Sequence, residues 1–188
     1  MNKRQIASLK SLAGILLGIS IVGCGGPAAD SPAGPSLETN EVKIFRDEWG
    51  VPSIYARTEE AGYFGLAFAM MQDQPERLLA GILASRGELA ANVSPEDLPL
   101  PVRALFPSVD MMVESDYQAK LWRLSQLAEQ ATQRLKPQLR DDYQQFINGV
   151  NAYFDTHPEK LPAWAPSNIT IADLIAYPHY SLWSFYQA

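Results

Sequence analysis

Leu139, Tyr143, Phe146, Ile147, Val150, Tyr153 and Phe154 stand at offsets of 0, 4, 7, 8, 11, 14 and 15. That spacing draws one unbroken apolar stripe along a helix, and no strand can produce it. A stripe of such length needs other elements to cover it, so the chain must build a helical core around this segment. Upstream, Leu121, Leu124, Leu127, Ala128, Ala131 and Leu135 repeat at threes and fours and predict another helix, from about Glu114. Pro137 ends that run and can open the next helix.

The remaining segments fit around this helical centre. Val42–Arg46 and Val51–Ala56 are rich in β-formers and flank Asp47-Glu48-Trp49-Gly50, which predicts a hairpin. Thr58 can cap a helix that starts with Glu59 and Glu60, both favourable at the positive end of its dipole. Ala61–Met71 is almost wholly apolar and is expected to be buried on most sides. Asp73, as an N-cap, and Pro75 then start a helix running to about Ala91. Ser94–Asp97 reads as a helical turn broken by Pro99 and Pro101, and Thr170 precedes a last helix from about Ile171. The expected fold class is α+β and mainly helical, a β-hairpin with about five or six helices.

The N-terminus has a different character. Lys3, Arg4 and Lys10 precede an apolar run from Leu12 to Val22, with no acidic residue before Asp30. Those eleven apolar and small residues are too few to span a hydrocarbon core of about 30 Å, and they read as the apolar region of an export signal. Ile21-Val22-Gly23-Cys24 resembles the lipobox of bacterial lipoproteins. The resemblance implies lipidation of Cys24, which would become the mature N-terminus and attach the protein to a membrane, facing the periplasm. Gly25–Glu41 is rich in Gly, Pro, Ala and Ser and reads as a tether. The organisation is therefore a signal segment at 1–23, a tether at 24–41 and a folded part at 42–188.

Charge and cysteine count remove several function classes. With 15 Lys and Arg against 21 Asp and Glu the net charge is −6, and removing 1–23 would make it more negative. Such a chain is not built to grip phosphate backbones, so no nucleic-acid partner is expected. Cys24 is the only cysteine, which excludes an intrachain disulfide and a cysteine-based zinc cluster. No phosphate loop, HExxH or GxSxG motif is present.

Four blocks in order carry a family resemblance. Arg46-Asp47-Glu48-Trp49-Gly50-Val51-Pro52-Ser53-Ile54-Tyr55-Ala56 resembles the RDxxGVPHIxA signature of penicillin amidases, with Ser53 where His is usual. Tyr63–Asp73 is similar to the family's FGxGYAxAQDR segment, although Gln74-Pro75-Glu76 follows where Arg-Leu is usual. Arg86-Gly87-Glu88-Leu89-Ala90 resembles its ARGRLAE stretch, and Phe146–Tyr153 its YxxGVNAY helix. The family consists of N-terminal-nucleophile hydrolases with an αββα sandwich. They cleave the amide bond of N-acylated compounds such as β-lactam antibiotics, acyl-homoserine lactones and lipopeptides.

The blocks resemble the α-chain of those enzymes. The resemblance implies that the fold is an incomplete piece of the sandwich. It places the nucleophilic Ser and its α-amine base on a β-chain of the same precursor, the expected partner. A free α-amine can take the Ser proton only at a chain terminus, and lipidation would block both the thiol and the amine of Cys24. The chain alone is therefore expected to be inactive, with no catalytic residue of its own. No cofactor is expected within it, and the family's calcium site would need residues beyond Ala188.

Aligning Ile171-Ala172-Asp173-Leu174 with the family's W-x-P-x-D-V helix start places Leu182, Phe185 and Tyr186 at the acyl pocket. Tyr177, Tyr180 and Trp183 add aromatic surface, and these residues could instead be core residues packing on the absent β-chain. Phe185 stands at the family's pocket Arg, which disfavours a carboxylate-bearing acyl group. His157 reads as a solvated loop residue, His179 as a satisfied core residue, Asp47 as a turn cap, and Asp141 and Asp142 as a solvated face or dipole partners. A second reading is a non-enzymatic lipoprotein, either a truncated remnant or a small binding module.

Overall fold

The computed structural model describes residues 41–185. Cys24, the signal segment, most of the tether and Tyr186 lie outside the described residues. The fold opens with a hairpin of β1 (Val42–Arg46) and β2 (Pro52–Ala56). The strands pair antiparallel, with Ile44 opposite Ile54 and Arg46 opposite Pro52. Asp47 caps the turn as expected, its Oδ1 accepting from the backbone N–H groups of Trp49 (2.9 Å) and Val51 (2.8 Å). Gly50 takes a left-handed φ of +79° to close the turn.

Eight α-helices follow among the described residues, six of them longer than one turn. They are α1 (Glu59–Asp73), α2 (Pro75–Arg86), α3 (Leu89–Asn92), α4 (Leu100–Arg103), α5 (Val109–Leu121), α6 (Leu124–Gln133), α7 (Pro137–Thr156) and α8 (Ile171–Phe185). Thr58 caps α1 as predicted, its Oγ1 accepting from Ala61 N–H at 3.2 Å.

Three boundaries differ from the sequence reading, each for a local reason. Asp73 ends α1 instead of capping α2, because its carboxylate is held by Arg46 at 2.7 Å. The helix expected to reach Ala91 stops at Arg86, where Gly87 turns left-handed at φ +71°. The helix expected from Glu114 starts at Val109, capped by Ser108, and breaks at Arg123, a non-glycine residue with φ +55°.

Two apolar clusters make the core, with α2 between them. Leu78, Leu79 and Ile82 join Ala67 and Met71 of α1, Ile147, Val150 and Tyr153 of α7, and Leu174 of α8. Ala80, Leu83 and Ala84 on other faces of α2 meet Leu89, Met112, Ala119 and Tyr180. The predicted stripe of α7 thus lies against α1, and Gly149 makes the close approach possible. A Cβ there would strike the Phe64 carbonyl oxygen and the Ala67 side chain.

Candidate functional site

The last helix carries the acyl-pocket candidates, and its own sequence fixes its position. Near its start, Asp173 receives Nε of Arg86 on Oδ1 (2.7 Å) and another Arg86 nitrogen on Oδ2 (2.7 Å). Thr170 adds its backbone N–H (2.7 Å) and hydroxyl (2.8 Å) to Oδ2. Burial alone would raise the Asp173 carboxyl, but Arg86 and Thr170 together hold it below the usual carboxylate value. The fork is geometrically ideal for a carboxylate and ties α2 to α8.

One and two turns later, aromatic residues secure the same helix. The Tyr177 ring covers Gly81 of α2 so closely that no Cβ would fit there. Tyr180 is buried at 6% exposure, its hydroxyl 2.5 Å from the Ser115 hydroxyl. Burial pushes that hydroxyl above the ordinary tyrosine value. Tyr180 therefore belongs to the chain's own core.

Beyond this anchor, Leu182 is 62% exposed on α8. Phe185 closes α8 and is described only as backbone, so no side-chain grouping of the three acyl-pocket candidates follows. Tyr186 and Cys24 lie outside the described residues.

Sequence reasoning missed a cavity. About 330 Å³ of space lies between α1, α7 and α8, walled by Tyr63, Leu66 and Met70, by Leu139, Asp142, Tyr143 and Phe146, and by Leu174, Tyr177 and Pro178, over Leu78. Ala61–Met71 is buried on most sides as expected, with one face of α1 open, where Tyr63, Leu66 and Met70 are each about 40% exposed. One expectation fails here. Asp142 is not solvated but buried at 8% exposure, and its Oδ1 has no hydrogen-bond partner among the described residues. The available signal was positional, because Asp142 lies one turn past Leu139 and beside Tyr143, at the margin of the apolar stripe.

The histidines do not form a pair. His157 is half-buried, its ring stacked on Tyr153 with centroids 4.6 Å apart and its Nδ1 2.8 Å from Thr156 Oγ1. His179 is exposed rather than core, with Nδ1 2.8 Å from the Ile175 carbonyl oxygen. The buried hydroxyl of Ser85 donates to the Ile82 carbonyl at 2.8 Å. Asp116 is buried too. Burial raises its carboxyl, while the N–H groups of Leu89 and Ala90, at 2.9 and 2.8 Å, work against that rise. It acts as the start cap of α3, a role invisible in sequence because the two partners are 26 and 27 residues away. Among the described residues, no group of three His, Cys, Asp or Glu could hold a metal ion.

The four sequence blocks meet as structural ties. Arg46 of the first pairs with Asp73 of the second. Gly149 of the fourth packs on the second at Phe64 and Ala67. In the third block Arg86 holds Asp173, and Gly87 turns against the Asp116 carbonyl, which a Cβ would approach to 2.8 Å. Comparison with protein families places residues 41–188 in the penicillin amidase model. The chain belongs to the penicillin amidase family. That family hydrolyses amide bonds, and the arrangement of ties explains how its blocks shape the fold. Among solved structures, the thermostable penicillin G acylase from Alcaligenes faecalis, in its tetragonal form, matches with a TM-score of 0.61. The match has 22% identity and covers 78% of this chain and 74% of that one, a likeness of fold. No curated protein matches the chain.

Proposed function

We propose that residues 42–188 of this penicillin amidase family member are the α-chain portion of a hydrolase that cleaves the amide bond of N-acylated compounds. In this reading α8 supplies one wall of the acyl pocket, and a β-chain supplies the Ser nucleophile with its α-amine as base. The observation that carries the reading is the state of α8. It is held by the Arg86–Asp173 fork near its start and by buried Tyr180 further along, while Leu182 is left open for another surface. Such anchoring suits a residue that shapes a pocket, because the position of the wall is set before substrate arrives.

A partner is supported by a second surface. Val113, Tyr117 and Leu121 follow one face of α5 at a spacing of four, each more than half exposed. An apolar row of that kind is a docking surface in a stable protein. Of the substrate classes proposed, apolar acyl groups suit Leu182 and Phe185 best, since neither can pair with a charged acyl terminus. Lipidation at Cys24 and export to the periplasmic side of a membrane rest on the leader sequence. Among the described residues no helix is long and apolar enough to cross a membrane.

The test uses the assembled enzyme with an anilide series running from acetyl to lauroyl. Leu182→Trp is expected to lower kcat/KM for the longest acyl groups by about tenfold or more relative to the shortest, the scale of a lost apolar subsite. A uniform change across the series would remove Leu182 from the pocket wall.

A further inference from the structure

Leu174, Pro178 and Leu182 stand four residues apart on α8, so they follow one face, with about 6 Å of axis between neighbours. The first two line the cavity between α1, α7 and α8, and the third is the exposed residue of the proposed acyl-pocket wall. One helical turn therefore separates the wall from the cavity. Across the cavity, Tyr63, Leu66 and Met70 mark one face of α1 over a step of seven residues, about 10 Å of helix. Their exposure of about 40% each leaves that side open.

The dimensions and the wall select the occupant. Spread over about 10 Å of α1, a volume of about 330 Å³ makes a slot roughly 6 Å across, too narrow for a helix with its side chains. The wall is mainly carbon, and its one charged residue, Asp142, is itself buried. A charged group entering the slot would lose water without gaining an opposite charge, whereas hydrocarbon gains by leaving water. A single unbranched chain meets both the width and the chemistry. We propose that the cavity is a second compartment of the acyl site, in which a straight-chain acyl group passes Leu182 and lays its distal carbons against Leu66, Met70 and Tyr177. The proposal rests on the reading of α8 as the acyl-pocket wall, and adds a substrate class, long unbranched acyl groups, with the residues of α1 that select it.

The assembled enzyme and straight-chain acyl anilides from butanoyl to dodecanoyl test the compartment. In the wild type, kcat/KM is expected to rise by about fourfold for each methylene that enters the slot, and then to level off. Leu66→Trp fills the slot and should lower kcat/KM for dodecanoyl by about tenfold or more, while butanoyl stays within about twofold. Met70→Trp repeats the test from the next turn of α1, and the exposure of both positions leaves room for the larger ring. Leu182→Trp in parallel separates this proposal from the reading beneath it. Loss of long substrates in Leu182→Trp, with both α1 variants flat across the series, would leave the wall standing and overturn the second compartment. A flat series in Leu182→Trp as well would remove the wall and the compartment together. A wild-type profile that does not rise beyond butanoyl would overturn the proposal. So would loss of an accompanying chain from Leu66→Trp on gel filtration with the length profile of the remaining complex unchanged, which would give the slot to that chain.

Discussion

Asp173→Ala is expected to lower stability by about 3–5 kcal/mol, the range for removing one partner of a buried ion pair. Both side chains are largely removed from water, at 16% exposure for Arg86 and 8% for Asp173. The substitution leaves the guanidinium with the Asn168 carbonyl, at 2.8 Å, and a more distant Glu88. It also strips the Thr170 N–H and hydroxyl of their acceptor at the start of α8. Urea unfolding at neutral pH measures the loss, and a change under about 1 kcal/mol would reduce the pair to the weight of an exposed one.

Acid supplies an independent check on the same group. The folded-state pKa of Asp173 is depressed, so its contribution is complete above the unfolded carboxylate value of about 3.9. The contribution is lost as pH falls through the lower folded-state value. The wild-type protein should therefore lose stability more steeply than Asp173→Ala below about pH 4. Parallel acid profiles for the two proteins would show that the fork does not act electrostatically.

Gly149→Leu is expected to abolish the cooperative fold, and Gly149→Ala to cost about 1–3 kcal/mol. Helix propensity alone argues the other way, since alanine gains about 1 kcal/mol over glycine inside a helix. Packing wins because the added Cβ would meet the Phe64 carbonyl, which is backbone, and the Ala67 side chain. Neither can yield without moving α1 away from α7. Gly62, near the start of α1, is the control, because nothing stands within 4 Å of an added Cβ there. Gly62→Ala should be neutral or stabilising, and a stabilised Gly149→Ala would mean that the two helices are not in close contact.

These two sites show which parts of the molecule are readable in sequence. The hairpin, the cap at Thr58, the α7 stripe and the start of α8 follow from local chemistry, and each stands where its residues predict. The family blocks are readable because they hold the fold together through Arg46, Arg86 and Gly149, residue types for which few substitutes work. Asp142 and Asp116 were not legible, because a carboxylate beside an apolar stripe has the same local sequence whether it faces water or a cavity. Only the packing of distant elements decides between them. The break at Arg123 was equally hidden, since a left-handed arginine leaves the periodicity of its neighbours nearly intact. Of the acyl-pocket candidates, Leu182 alone has a described side chain, and its exposure is a tertiary fact that no spacing encodes.

The central claim is that this chain shapes the site while another chain carries the nucleophile. Its most direct test is to treat the protein, purified with every chain that accompanies it, with a sulfonyl fluoride and weigh each chain by mass spectrometry as amide turnover declines. The account predicts a single adduct that grows in step with the loss of turnover, on the N-terminal residue of a chain other than residues 42–188. An adduct on a hydroxyl within those residues, Ser115 or Thr156 for example, rising with the same time course would contradict it.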